Sequence, residues 1–493
     1  MTRDTLFDDR EYDGLWSVPD APGQEVAGTA SYRNGRIILK LYGRLPGSTG
    51  DSRGSDFRPV IINGRRHGKK ITLYQTRELV SSDEHSQFSA SWMLVGRNFY
   101  SEEELRPPEL SVEYTYLERW AMDNLPFHVN WERAADGVRT MTHTPPEGVE
   151  LDLPQEECKV ILVHFDSPNM WGNAASWKYS CRLFIQPSTP QTLSWYMDMV
   201  ASLSRLMSLL IGRTSIPVSS GFAPLDIDER TEEGLVQGPV EVLWDGFRVP
   251  PDVAVSKEER ERYPYVPLLS LEEVRPNIDT VFNSWFSQEQ RLEIVHNLLL
   301  AVMDNPSVHV EHRLLTLAQA LELFHRCTAS GGYLEKEDFQ KTKATLIDAI
   351  PDSTPESVKK IFKDKLQFLN QWTLQTRLQQ LFNRFDQGTK RAIMGEYSEE
   401  ETVEKSPEEN FTHEEEFIRK IKSTRNNLTH LNYKESSDVP DPVDLIETIA
   451  QTRRLLTAAL LQNLGVREDA IALAVSRIKA MPIHWHRFDD IRD

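Results

Sequence analysis

The apolar residues of this 493-residue chain change period partway along it, and that change limits the possible folds more than any other feature. Up to about residue 250 they alternate. In 36–43, Ile37, Leu39 and Leu41 share one face while Ile38, Lys40 and Tyr42 share the other. In 109–117, Leu110, Val112, Tyr114 and Tyr116 oppose Glu109, Ser111, Glu113 and Thr115. A repeat of two belongs to a strand with one covered side. Further short runs at 59–62, 71–74 and 160–165 are separated by Gly, Pro, Asn and Asp, the residues of turns. The expectation is a large antiparallel sandwich or barrel, followed by a helix near 190–212.

Past a proline- and charge-rich stretch at 249–267, the spacing becomes helical. Leu314, Leu317, Ala318, Leu321 and Phe324 make one stripe. A second helix, opened by Ser353, Pro355 and Glu356, is expected to run on through Leu366, Leu369, Leu374, Leu378 and Phe382. A third starts with a Thr412–Glu415 capping box and carries Phe417, Ile418 and Ile421. The last starts at Asp441–Pro442 and runs to Leu461. The chain thus reads as α+β and multidomain: a β-rich domain over 1–270, a helical connector over 271–304, an all-α bundle over 305–466 and a tail over 467–493.

Composition narrows the function classes. The apolar share of 39% and charged share of 27% are those of a soluble globular protein. The first residues, MTRDTLFDDREYDG, are acidic where a signal peptide needs a basic start and an apolar run. The most apolar helical stretch, 197–212, contains Ser202, Arg205 and Ser208 and is shorter than the ~20 residues of a membrane span. Cys158, Cys181 and Cys327 are far apart and lack a CxxC spacing, so reduced core thiols in the cytoplasm are expected, with neither a disulfide framework nor a zinc site. Nine of the eleven tryptophans precede residue 290; they suit either core packing between sheets or an aromatic platform for sugars or bases. Signatures for nucleotide hydrolysis, dinucleotide binding, serine esterases and zincins are missing. His309 with His312, and His484 with His486, lack the companion ligands of a metal site, so no metal or cofactor is expected.

The net charge of −19 argues against nonspecific nucleic-acid binding, because phosphates are held by basic side chains. Glu396 to Glu416 alone holds ten glutamates and one lysine, Lys405. That run reads as a solvated loop, or as an electrostatic gate for a neighbouring site. Immediately after it comes the strongest cationic cluster of the helical half. Arg419, Lys420 and Lys422 precede Arg425-Asn-Asn-Leu-Thr-His430, and Lys434 follows. An Arg and a His five positions apart are a weak signal alone, and Arg291 with His296 repeats it inside an apolar, structural context. On an ideal helix the two would point about 140° apart. Asn426, Asn427 and Thr429 compete for backbone hydrogen bonds, which suggests that the helix ends or distorts between them. The pair suits RNA cleavage by the 2′-hydroxyl: imidazole moves a proton near neutral pH, and guanidinium binds the charged non-bridging oxygens. A lone acid–base residue contributes about 10²–10⁴-fold, which favours two chains pooling their sites.

This arrangement resembles the HEPN superfamily, whose ribonucleases carry Arg, a polar residue and then His at the edge of a helical bundle that dimerises around the site; Arg425, Asn426 and His430 match position by position. The 317–326 helix end, with Glu322 on its polar side, is similar to the first helix of ApeA-like HEPN domains. Gly14-Leu-Trp16 with Pro19, Gly28-Thr29, Leu39-Lys-Leu-Tyr-Gly43, Met93-Leu-Val-Gly96, and Leu117 with Trp120 resemble the N-terminal domain that accompanies them. Asn98 stands where the family pattern has His, and the acidic run is longer than the pattern.

The resemblance implies a metal-independent, anti-phage, abortive-infection endoribonuclease of the cytoplasm. It would leave 2′,3′-cyclic phosphate and 5′-hydroxyl ends on RNA, with tRNA a candidate substrate. Arg425, His430 and Asn426 would be catalytic and Glu322 supporting, with Lys422, Lys420, Arg419 and Lys434 binding RNA. It further implies a homodimer or dimer of dimers through the HEPN domain, a phage-derived trigger, a sensing or regulatory role for the N-terminal domain, and no membrane. The competing readings are an inactive HEPN scaffold and a carbohydrate-binding protein using the Trp-rich domain.

Overall fold

The computed structural model describes residues 5–47, 59–66, 68–122, 127–130, 140–143, 146–171, 174–223, 239–249, 266–304, 308–396, 407–430 and 442–479. The chain divides into two compact units, Met1–Ser287 and Gln288–Asp493.

In the first unit, alternation becomes a barrel. β1 (Arg10–Ser17), β2 (Val26–Arg33), β3 (Arg36–Leu41), β4 (Ile61–Arg66), β5 (Lys69–Ser81) and β6 (Ser86–Val95) pair antiparallel. Their order, β6-β3-β2-β1-β4-β5, closes because β5 also pairs with β6. Ile37, Leu39 and Leu41 point inward beside Trp16, Leu73 and Phe88. Asn34 and Gly35 join β2 to β3 with φ of 49° and 67°, the left-handed pair that matches the twist of a two-residue hairpin. Trp16 is fully buried, and its Nε1 donates to the Gly28 carbonyl at 3.1 Å. Directly across the ladder lies Gly64, where a Cβ would stand 2.4 Å from the indole ring. Only glycine leaves room for that ring.

The rest of the first unit extends this sheet as an arm. Its elements are β7 (Leu110–Tyr114), α1 (Leu117–Ala121), β8 (Phe127–Asn130), β9 (Thr140–His143), β10 (Val149–Leu153), β11 (Cys158–Trp171), β12 (Ala174–Pro187), α2 (Leu193–Ile211), β13 (Pro217–Phe222) and β14 (Val240–Trp244). The alternation expected through Tyr116 ends at Tyr114, because Tyr116 turns left-handed at φ 64° and opens α1. Strand order from β6 outward is β14-β13-β7-β12-β11-β10, while β8 and β9 pair separately. One edge of β6 holds β3 along 86–89 and then β14 along 92–95; the other edge holds β5. β6 therefore serves barrel and arm together.

Thr192 caps α2 by accepting from Trp195 N, and Gly212 ends it at φ 81°. Tyr114 Oη on β7 donates to the Val200 carbonyl at 2.9 Å, which fixes α2 on the arm. Trp16, Trp92, Trp120 and Trp285 are buried, which places them in packing and not on an exposed platform. Trp195 and Trp244 are half-buried, and the side chains of Trp131, Trp171 and Trp177 lie outside the described residues.

α3 (Leu271–Val274) starts from a Ser270–Glu273 capping box, and α4 (Ile278–Asp304) carries the chain past the unit boundary. The second unit then contains α5 (Val310–Thr328), α6 (Lys336–Asp348), α7 (Glu356–Leu366), α8 (Leu374–Phe382), α9 (Gln387–Met394), α10 (Pro407–His430), α11 (Pro442–Asn463) and α12 (Glu468–Ser476). Leu317, Leu321, Phe324, Leu381, Phe382, Phe417, Ile421, Leu456 and Leu460 form its core.

Two helix expectations need correction. The helix expected from 353 through Phe382 is broken between Leu366 and Leu374. Asn370 spends its amide on the backbone of Leu334, accepting from its N–H at 2.7 Å and donating to its carbonyl at 2.9 Å, and Thr373 caps α8 by accepting from Thr376 N. These local bonds outcompete helix continuation. α10 begins at Pro407, not at Thr412, so the later half of the acidic run is helical; 397–406 lie outside the described residues. Among the described residues no helix is long and apolar enough to cross a membrane. Cys158 and Cys181 are buried free thiols, and Cys327 is a half-buried one.

Candidate active site

The site is set by where α10 faces. Phe417, Ile418, Ile421 and Thr424 are all buried along one side of it, and α10 packs on α5 and α8. That burial outweighs the weak helix propensities of Asn426, Asn427 and Thr429, so α10 runs unbroken to His430. The expected helix break between Arg425 and His430 does not occur. The side chain of His430, and all of Lys434, lie outside the described residues.

Arg425 turns toward α5. Its Nη1 donates to Asn426 Oδ1 at 3.2 Å, and its Nη2 stands 3.8 Å from Glu322 Oε2. The other oxygen of that carboxylate, Oε1, accepts from Arg326 Nη2 at 2.7 Å. One carboxylate thus holds two guanidinium groups, one by hydrogen bond and one by charge. The Arg425 side chain keeps 36% of its surface exposed, so a phosphate can reach it.

The other basic residues differ. Lys422 is exposed and donates to Gln375 Oε1 on α8 at 3.0 Å. Arg419 is exposed on α10. Lys420 lies between Glu416 at 3.2 Å and Asp444 at 3.6 Å, so its charge is locally compensated.

Behind Glu322 lies a buried polar group that the sequence reading did not name. His325 is fully buried on α5, and Arg377 on α8 nearly so. Arg377 Nη1 donates to His325 Nδ1 at 3.0 Å, which makes that nitrogen an acceptor; Nε2 then donates to Gln380 Oε1 at 2.7 Å. Trp372 packs edge-on to the imidazole at 5.2 Å, and its carbonyl accepts from Arg377 Nε at 3.1 Å. Burial, with Arg377 and Arg384 nearby, holds the imidazole below its ordinary pKa, so His325 is neutral and confined to one tautomer. A signal was present: His325 falls four residues after Leu321, on the apolar stripe of α5, where a histidine must find partners.

The second Arg–His match is structural in character. His296 is buried in α4, whereas Arg291 is exposed and donates to Gln288 Oε1 at 3.1 Å. The rings of His309 and His312 stand edge to face with centroids 6.2 Å apart, and His484 and His486 lie outside the described residues. Among the described residues no three His, Cys, Asp or Glu side chains cluster as a metal site would require.

Comparison with protein families matches the two halves separately. Residues 11–285 match the ApeA N-terminal domain 1, and residues 315–470 match the Apea-like HEPN domain, a span that holds Glu322, Arg425, Asn426 and His430. No curated protein and no solved structure matches the chain. With an antiparallel β-rich domain first and a HEPN helical domain second, the chain belongs to the ApeA-like HEPN family.

Proposed function

We propose that the HEPN domain is a metal-independent endoribonuclease that uses Arg425 and His430, and that it acts in anti-phage defence in the cytoplasm. A base takes the proton of a ribose 2′-hydroxyl, and O2′ attacks the adjacent phosphorus. The P–O5′ bond breaks and an acid protonates O5′. The products are a 2′,3′-cyclic phosphate and a 5′-hydroxyl end. Imidazole serves either proton transfer near neutral pH, and the guanidinium binds the non-bridging oxygens as their charge grows. Asn426 steadies Arg425, and Arg419 and Lys422 offer exposed charge to flanking phosphates. tRNA is a candidate substrate. The N-terminal domain would sense or gate in response to a phage-derived trigger, and RNA loss would arrest the infected cell.

The observation that carries this reading is the half-exposed Arg425 guanidinium, poised against Glu322 inside the matched HEPN span. A lone acid–base residue is a modest catalyst, which favours two chains pooling their sites. The test is incubation of the purified protein with total RNA in chelator, with ends mapped by end-sensitive sequencing. Cyclic-phosphate ends that vanish in His430→Ala are expected. Cleavage unchanged by that substitution, or no cleavage under infection triggers, overturns the proposal. The net charge of −19 favours one second reading, an inactive assembly module. It predicts that Arg425→Ala alters oligomerisation and no RNA chemistry.

A further inference from the structure

Charge is distributed unevenly along the chain. Residues 33–77 hold eleven lysines and arginines against two aspartates, in a chain whose net charge is −19. This run builds β3, β4 and most of β5, so its cations lie on the barrel of the first unit. Five of them are already engaged. Arg33, Arg44 and Arg65 pair with Glu11, Asp83 and Glu25 at 2.7, 3.0 and 2.7 Å, Arg66 donates to the Glu11 carbonyl at 3.2 Å, and Lys69 lies over the Tyr12 ring. Of the others, Lys70 sits at the β4–β5 turn, whereas Arg36, Lys40 and Arg77 share one face. Those three are exposed, and among the described residues their side chains meet no hydrogen-bond or ion-pair partner.

Strand register sets that face. Along β3 the outward positions are 36, 38 and 40, because Ile37, Leu39 and Leu41 are buried. Ser89 on β6 pairs with Ile38 on one side and with Arg77 on the other. Paired residues point to the same side of a sheet, so Arg77 stands in the row of Ile38, two strands and about 10 Å away. Arg36 and Lys40 are about 13 Å apart along β3. Tyr42 extends the face past Lys40. Its N–H donates to the Ala27 carbonyl at 2.8 Å, which continues the ladder, and its side chain is 75% exposed. Between the charges the floor is polar: Ser31 and Ser89 flank Ile38, and Gln87 pairs with Lys40.

We infer that this face binds a single-stranded nucleic acid. Three cations with uncommitted donors, spread over about 10–13 Å, suit successive phosphates of a strand. An aromatic ring left in water beside them suits an unpaired base, which a duplex keeps stacked on its neighbours. The hydroxyl and amide floor offers hydrogen bonds to sugars and base edges, whereas a lipid surface is met by apolar side chains that insert. A local patch of this kind lets a chain of net charge −19 hold a polyanion. This binding concerns the first unit alone and holds whether or not the HEPN domain cuts RNA.

The experiment is fluorescence anisotropy of the full-length protein across a salt series. The probes are labelled 2′-O-methyl oligouridine and oligodeoxythymidine of about 16 nucleotides, the upper site size of a small barrel. Neither probe has the 2′-hydroxyl through which it could be cut. Wild type should bind, with affinity falling as salt rises. Arg36→Gln/Lys40→Gln/Arg77→Gln should reduce the slope of log affinity against log salt by about 2, since each phosphate contact on a single strand contributes about 0.7. Tyr42→Ala should weaken binding about tenfold at an unchanged slope. A substitution that merely loosened the barrel would not separate these two effects. All four residues are exposed, so neither variant should shift the melting temperature. Binding of either probe supports the inference, and the tighter one names the sugar. No binding at ~100 μM protein, the weak end of nonspecific affinity, overturns it. So does a slope unchanged in the triple variant while Arg419→Gln/Lys422→Gln abolishes binding, which would place every contact in the HEPN domain. Tighter capture of a duplex than of single strands overturns it too, as does capture of phosphatidylglycerol vesicles in place of either probe.

Discussion

Replacing Glu322 with Gln tests whether that carboxylate works only by holding Arg425. The substitution keeps shape and removes one negative charge. The Arg326 contact survives, since an amide oxygen can still accept at the 2.7 Å now seen. What is lost is the attraction across 3.8 Å to Arg425. At that separation a unit-charge pair gains about 1 kcal/mol in bulk water and about 4 kcal/mol near a protein surface. Both side chains are partly open to solvent, 36% and 22%, so ~1–1.5 kcal/mol is the appropriate value, and conformational stability should change by less than ~1 kcal/mol. Looser placement of Arg425 by that energy lowers turnover about tenfold. Removing the guanidinium itself, as Arg425→Ala, should cost about 10²–10³-fold, typical of a lost oxyanion donor. The assay is single-turnover cleavage of a quenched fluorescent RNA by wild type, both single variants and the double variant. A residue acting through another leaves no trace once the other is gone. The double variant should therefore match Arg425→Ala within twofold. A further tenfold loss in the Arg425→Ala background would refute the reasoning and give Glu322 a role of its own.

Three other outcomes follow from the packing. Gly64→Ala drives a methyl into the immobile Trp16 ring, and denaturant titration should report about 1–3 kcal/mol of lost stability; a change under ~0.5 kcal/mol would mean that the barrel wall yields there. His325 has a depressed pKa in the fold, so the unfolded chain takes up its proton first as pH falls through ~6.5. Stability should decline below that pH at up to ~1.4 kcal/mol per unit, and His325→Gln should flatten the slope; parallel slopes in wild type and variant would show that the imidazole is not held neutral. Asn370→Ala removes the two bonds to Leu334 that tie the segment before α8 to the start of α6 and should cost about 1–2 kcal/mol, read as faster limited proteolysis of 336–369; unaltered cleavage would place the anchor elsewhere.

The barrel was legible because one covered face imposes strict alternation, as Ile37, Leu39 and Leu41 demonstrate. The branching of β6 was not, since its partners β3, β5 and β14 are chosen across as many as 152 residues, from Trp92 to Trp244, by pairings that leave no local pattern. The helix stripes predicted α5 and α11 well, because their apolar spacing is backed by burial at Leu321, Phe324, Leu456 and Leu460. The same spacing failed between 366 and 374, where one asparagine side chain substitutes for backbone partners. It also failed to show that α10 would continue through Asn426 and Asn427. At the site, residue types pointed to Arg425 and Glu322, which the fold brings near each other. The stripe position of His325 marked a buried imidazole, but its partner Arg377 was not legible, because the two are matched in space and not along the chain.

The shared strand has a mechanical meaning for the N-terminal domain. A ladder can slide only by whole residues, and a single step exchanges inward and outward side chains along the entire strand. Because 92–95 are bonded to β5 and β14 together, a pull on the arm cannot be absorbed gradually at its junction with the barrel. It is transmitted rigidly to the barrel until the junction breaks in one discrete event.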